Sequence, residues 1–109
     1  MVDSIDVNKL YPLWQASREK GKAIELIDVR SPEEYSSGHI PGARLIALHT
    51  LMARVDEIPD SGQVFLVCRS GARSAQAADY LARQCGRRNL INVAGGTMAW
   101  IAAGYPVER

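Results

Sequence analysis

The stretch Val64-Phe65-Leu66-Val67-Cys68-Arg69-Ser70-Gly71-Ala72-Arg73-Ser74 decides the fold. Four apolar residues in a row, with no polar alternation, read as a short strand buried on both faces. Pro59-Asp60-Ser61-Gly62 before it is a turn, and the residues from Ser74 to Ala82 are strong helix formers. The chain therefore runs from a buried strand through a tight loop into a helix, expected from about Ser74 to Cys85. Ala75, Ala78, Ala82 and Cys85 fall at spacings of three and four, which predicts that they share one helix face.

The same alternation extends outward in both directions. Ala23 to Val29 is an apolar run that predicts a second buried strand. Ser31-Pro32-Glu33-Glu34 then opens a helix, with Ser31 as N-cap, Pro32 at the first helical position and Glu34 closing a capping box. Gly38 and Pro41-Gly42 keep that helix short. Arg44 to Ala47 reads as a strand and His49 to Val55 as a weak helix. Leu90 to Val93 is a further strand, and Thr97 to Ala103 a helix closed by Gly104 and Pro106. Leu10 to Lys20 is helical in pattern, with Pro12 leaving its start undefined. Strands alternating with helices, and buried rather than half-buried strands, predict an α/β fold with a parallel sheet covered on both faces. In such sheets ligands bind beyond the carboxyl ends of the strands, which is where Cys68 falls.

The chain has 109 residues, enough for one domain with one core and too few for two. A formal net charge of +1 gives no global attraction to nucleic acid or to an anionic membrane, so neither is an expected partner. No apolar stretch approaches the roughly 20 residues needed to cross a bilayer. Met1 to Asp6 carries acids and lacks the basic and apolar regions of a signal peptide, so a cytoplasmic location is expected. Two cysteines are too few for a disulfide scaffold or a zinc site, and neither a metal nor another cofactor is expected. Helical rise would separate Cys85 from the Cys68 end of the helix by ~16 Å, against the ~7 Å that a disulfide tolerates, so both thiols should be free.

Gly71, flanked by the small Ser70 and Ala72, lets the backbone curl so that successive N–H groups point inward. The helix N-terminus adds its unpaired donors, and Arg69 and Arg73 add positive side chains. A free cysteine with pKa ~8.5 is only about 3% thiolate at neutral pH, and a shift of ~2 units, or ~2.7 kcal/mol, is needed to reverse that balance. A helix terminus alone offers ~0.3–1 kcal/mol, so the loop amides and at least one arginine must contribute as well, with direct hydrogen bonds to the charged sulfur the largest share. No histidine base is required, and neither His39 nor His49 is adjacent to Cys68 in sequence. Cys85, on an alanine-rich face before Gly86, reads as core filler. The residues alone thus yield a thiolate in an anion-binding loop and leave several chemistries open.

Three segments resemble the rhodanese family in this order: Leu26 to Tyr35 running on to Gly38-His39-Ile40-Pro41-Gly42-Ala43, the loop Cys68 to Ser74, and Gly95-Gly96-Thr97-Met98-Ala99-Trp100. The resemblance spans about Ile5 to Val107 and takes residues 1–109 as a single rhodanese domain with a five-stranded parallel sheet flanked by helices. It implies a thiosulfate sulfurtransferase: catalytic Cys68 takes the sulfane sulfur of thiosulfate as a persulfide and passes it to cyanide or a thiol acceptor. Arg69, Ser70, Gly71, Ala72 and Arg73 would bind the substrate. Asp28, Arg30 and Ser74 would support the loop, Arg30 pairing with Glu34. His39 would fix the turn after it, and Trp100 would be core. A persulfide carrier serving a protein acceptor is an alternative, with Arg87-Arg88 and the face near Arg69 as docking surface. A scaffold role without turnover fits poorly with a complete cysteine loop. A cysteine phosphatase or arsenate reductase is disfavoured because the spacing from Cys68 to Arg73 is one residue shorter than in phosphatase loops.

Overall fold

Every residue of Val64–Val67 is buried, as its unbroken apolar character requires, and the strand it forms is the central one of five. The computed structural model describes residues 3–22 and 24–109. Its strands are β1 (Asp3–Asp6), β2 (Glu25–Asp28), β3 (Arg44–Leu45), β4 (Val64–Val67) and β5 (Leu90–Ala94). Its helices are α1 (Val7–Glu19), α2 (Pro32–Ser37), α3 (Ala72–Cys85) and α4 (Gly96–Ala102), with a 3-10 helix over Leu48–Glu57. The strand order is β1-β5-β4-β2-β3 and every pairing is parallel. The expected α/β architecture is therefore present. Among the described residues no helix is long and apolar enough to cross a membrane.

Side chains alternate between the two faces of the sheet with the period of two that a strand imposes. Leu26, Phe65, Val67 and Val93 pack against Val7, Leu10 and Trp14 of α1 and Trp100 of α4. Ile27, Val64, Leu66 and Leu90 face the other way, against Ala77, Ala78 and Leu81 of α3 and Leu51 of the 3-10 helix. Cys68 continues the parity of Val64 and Leu66 and so belongs to the α3 face. Trp100 is fully buried, as expected, and its indole N–H donates to the Pro106 carbonyl at 2.6 Å.

Several boundaries differ from the sequence expectation, each for a physical reason. The edge strand β1 has no apolar run to announce it, since Asp3, Ser4 and Asp6 are exposed. The first helix begins at Val7, three residues before the expected Leu10. Asp6 caps it by accepting the Asn8 N–H at 2.7 Å, and Pro12 is accommodated inside. Ala23, at the start of the predicted second strand, lies outside the described residues, as do Met1 and Val2. The strand expected over Arg44–Ala47 is confined to Arg44–Leu45, with Ile46 and Ala47 buried beyond it. The segment after it winds as a 3-10 helix and departs from helical geometry at Arg54. The capping box of α2 is present as expected.

The helix after Cys68 begins at Ala72 rather than Ser74, and its buried face is Ser74, Ala77, Ala78 and Leu81. The expected face of Ala75, Ala78, Ala82 and Cys85 is thus displaced. Alanine at many positions gives a weak periodic signal, and Ser74 is drawn inside by polar partners that a hydrophobic pattern does not register.

Candidate active site

Cys68 follows β4 directly and is 1% exposed. Its Sγ accepts N–H groups from Gly71 at 3.1 Å and Ser74 at 3.4 Å, and lies 3.3 Å from the Ser74 hydroxyl. Burial pushes the Cys68 thiol up, but the Ser74 hydroxyl and the amides of Ser74, Gly71 and Ser70 outweigh it and hold the pKa below the ordinary thiol value. The causes that lower it are hydrogen bonds to the sulfur from Ser74, Gly71 and Ser70. The arginines enter differently from what was expected.

The loop geometry depends on glycine at two places. Gly71 has φ +102°, a left-handed turn that aims its N–H at the sulfur. Gly96, at φ +60°, lies so close to the loop that a Cβ there would overlap the carbonyl oxygens of Cys68 and Arg69. This close approach lets Thr97 N–H donate to the Cys68 carbonyl at 2.9 Å and Met98 N–H to the Arg69 carbonyl at 3.0 Å. The first turn of α4 therefore holds the loop backbone. The Gly95-Gly96-Thr97-Met98 segment had no assigned role in the sequence beyond its resemblance.

Arg73 is not free to meet an anion. Its guanidinium makes two hydrogen bonds of 2.9 Å to the Glu34 carboxylate, a bidentate pair that ties the start of α3 to α2. The Arg73 hydrogen bond is the main cause that lowers the Glu34 pKa to about 2. Glu34 is presented by the capping box, where its carboxylate also accepts the Ser31 N–H at 3.1 Å. The expected Arg30–Glu34 pair is accordingly absent. Arg30 instead grips Asp28, with contacts of 2.9, 3.1 and 2.7 Å, and donates to the Gly38 carbonyl at 2.8 Å. Asp28 is fully buried, and a buried carboxylate needs a cation close by, which Arg30 two residues later supplies.

Arg69, Ser70 and Ala72 are exposed on the outer side of the loop. The Arg69 Nε lies 3.3 Å from the Met98 sulfur. Arg69, Arg30, Thr97, Met98 and Ile101 line an open depression of about 230 Å³ beside the loop. His39 is buried, stacked on Tyr35 at 3.7 Å between ring centroids, with Nδ1 2.8 Å from the Tyr35 carbonyl, so its side chain is tied to the preceding α2 rather than to the turn after it. Both cysteines are free, and Cys85 is partly buried against the α3-face core. Arg87, which the alternative carrier reading would use for docking together with Arg88, turns inward and donates to the Ile58 and Val55 carbonyls at 2.6 and 3.2 Å.

Asn92 on β5 also belongs to the site and escaped the sequence reading. It is buried beside Leu66 in the sheet and its carboxamide hydrogen-bonds the Ser74 hydroxyl. The signal available was a lone polar residue inside the apolar run Leu90-Ile91-Asn92-Val93. Among the described residues no group of three histidine, cysteine or acidic side chains is arranged to hold a metal ion.

The sequence model of the rhodanese-like domain matches residues 12–103. A sulfurtransferase of Allochromatium vinosum is 43% identical over 107 residues, covering 98% of this chain and 95% of that protein. The Bacillus subtilis protein YqhL is 43% identical over 76 residues, and the match spans 70% of this chain and 60% of that longer relative. Among solved structures, a rhodanese-related protein of Thermoplasma volcanium superposes with a TM-score of 0.80 at 31% identity, covering 97% of each chain.

Proposed function

The chain belongs to the rhodanese-like family, and from that premise we propose that it is a sulfurtransferase whose nucleophile and sulfur carrier is Cys68. The observation that carries this reading is the sulfur at the carboxyl end of β4. Backbone and hydroxyl donors converge on it and hold its pKa below the ordinary thiol value. The thiolate that these donors favour can attack the outer sulfur of thiosulfate. The S–S bond of the donor breaks, its electron pair leaves with sulfite, and Cys68 becomes a persulfide anion. Cyanide or a thiolate then attacks the outer persulfide sulfur, and the Cys68 thiolate is expelled unchanged. Charge is conserved in both steps, and the cycle is covalent catalysis by an activated nucleophile.

The N–H groups of Ser70, Gly71 and Ser74 are donors fixed before reaction, which favours them as stabilisers of charge on sulfur. Arg69, exposed at the mouth, is the side chain available to attract an anionic donor, and Arg73 acts by bracing the loop through Glu34. Asp28 and Arg30 support the neighbouring strand end. Delivery of the sulfur to a protein thiol is the second reading. It is favoured by Met98 and Ile101, which stand half-exposed beside Arg69 where a partner could cover them.

The test is intact mass after incubation with thiosulfate. One added sulfur on the wild type, removed by cyanide with release of thiocyanate, is expected, and none on Cys68→Ser. A Cys68→Ser protein that folds and still forms thiocyanate overturns the reading.

A further inference from the structure

Ser74 has one hydroxyl proton and two neighbours that can accept it. Its Oγ lies 3.3 Å from Cys68 Sγ and in short hydrogen-bond contact with Asn92 Oδ1. A hydroxyl donates once and accepts twice. With the amide oxygen facing Ser74, the proton goes to Asn92, and the sulfur keeps only its backbone donors. The two ends of a carboxamide are nearly equal in size, so rotating the amide exchanges oxygen and nitrogen without repacking. Asn92 Nδ2 then donates to Ser74 Oγ, and the hydroxyl proton turns to Cys68. Among the described residues only Ser74 hydrogen-bonds the Asn92 carboxamide, so the rotation breaks no other bond.

Two arrangements follow, differing by one proton on sulfur, and in each the Ser74 hydroxyl both donates and accepts. In the thiol form the Cys68 S–H donates to Ser74 Oγ and the Ser74 O–H donates to Asn92 Oδ1. In the thiolate form Asn92 Nδ2–H donates to Ser74 Oγ and the Ser74 O–H donates to the sulfur. A serine backed by an apolar residue would lack the amide donor that, in the thiolate arrangement, occupies its oxygen and leaves its proton for the sulfur. Strand parity puts Asn92 where this exchange can occur. It is in phase with Leu90, so its side chain faces α3, and it is 6% exposed. Desolvating a carboxamide is costly unless it is hydrogen-bonded, and here its bonding partner is the residue that touches the sulfur.

We propose that Asn92 is a positioning residue for Cys68, turning the single Ser74 proton onto the sulfur whenever that sulfur is a thiolate. The thiolate both attacks the donor and is expelled when the acceptor takes the sulfur, so Asn92 bears on both half-reactions. This inference rests on Cys68 being the reactive sulfur. Its test needs neither donor nor acceptor, so its failure is distinct from failure of the sulfur-transfer reading.

In a Cys85→Ala background, the rate of Cys68 alkylation by iodoacetamide is followed against pH to obtain the thiol pKa. Asn92→Leu, close in shape but without polar atoms, is expected to raise that pKa by about one unit, the size of one hydrogen bond to an ion. Ser74→Ala should raise it at least as far, and Asn92→Leu should add nothing once the Ser74 hydroxyl is gone. Asn92→Asp, which only accepts and adds negative charge, should raise it further than Leu. A pKa equal to that of the parent in the Leu variant overturns the proposal. So does a Leu shift of undiminished size in the Ser74→Ala background. Should the Leu variant not fold, the Asp variant decides, and an unchanged pKa there overturns the proposal equally.

Discussion

The loop that carries Cys68 is held from two sides by opposite kinds of interaction. On the β5–α4 side the holds on the loop backbone are uncharged, and Gly96, Thr97 and Asn92 among the residues that make them are buried. Thr97 and Met98 donate backbone N–H groups to the loop carbonyls, Gly96 lies against them, and Asn92 stands behind Ser74. On the β2–α2 side the hold is ionic and about one-third exposed, the Glu34–Arg73 pair. The difference teaches where sensitivity should lie. A buried contact, once removed, has no solvent substitute, whereas water and salt replace much of an exposed ion pair. The uncharged side sets where the sulfur sits, and the ionic side sets how firmly the start of α3 is tied.

Gly96→Ala is the strongest way to break the uncharged side. The new Cβ would meet the Cys68 and Arg69 carbonyls, which are backbone atoms and cannot rotate away, at a φ that side chains rarely adopt. Strain and overpacking together should cost roughly 2–4 kcal/mol, a large share of the stability of a domain this size. Thiocyanate formation should fall by two orders of magnitude or more, since a shift of the loop by an ångström misplaces every donor to the sulfur. Chemical denaturation and the sulfur-transfer assay check both parts. A variant with normal activity would show that α4 merely covers the loop.

Glu34→Gln probes the ionic side and should be milder. The pair is partly exposed, so a stability loss below about 1 kcal/mol is expected at neutral pH. The pH dependence carries a sharper signature. Glu34 has a folded pKa of about 2 against an ordinary 4.5, so the unfolded chain binds the proton more readily. Its stabilising contribution is present above pH 4.5 and is lost as the pH falls from there toward 2. Thermal denaturation across that window should be steeper in the wild type than in Glu34→Gln, with the two curves converging at the acid end. Parallel curves would mean that Arg73 does not hold the carboxylate in solution.

The two sides also differed in how well the sequence announced them. The buried run Val64–Val67, the capping box of Ser31 and Glu34, and the Gly-containing loop after Cys68 are local signals, and each was legible because neighbouring residues carry it. The partner of Arg73 is thirty-nine positions away, and no local pattern ranks Glu34 over an open substrate. Proximity along the chain suggests Glu34 as the partner of Arg30, but the buried Asp28 at the end of β2 has the greater need of a cation. Asn92 was hidden because a single amide in an apolar run registers as a flaw in the strand until the strand register sets it beside Ser74. The face of α3 was misplaced for a related reason: apolar periodicity registers what is greasy, and Ser74 is buried for its hydroxyl.

The smallest expected effect separates the two arginines and so sharpens the comparison. Arg73 is spent on Glu34, while Arg69 has no carboxylate partner among the described residues, only the Met98 sulfur at 3.3 Å. Arg69 can therefore act on an approaching anion only through its field at the mouth, which solvent screens. Arg69→Met keeps the stem and removes the charge. The expected result is a KM for thiosulfate raised by roughly two- to fivefold with kcat nearly unchanged, the mark of lost attraction rather than lost chemistry. Raising the ionic strength should shrink the gap between wild type and variant, because the Debye length falls from ~10 Å at 0.1 M to ~3 Å at 1 M salt. Arg73→Met should behave in the opposite manner, lowering kcat by loosening α3 and leaving KM less affected. If both variants instead raised KM alike, Arg73 would have to leave Glu34 during the cycle, and the ionic side would be a moving part of the site rather than a brace.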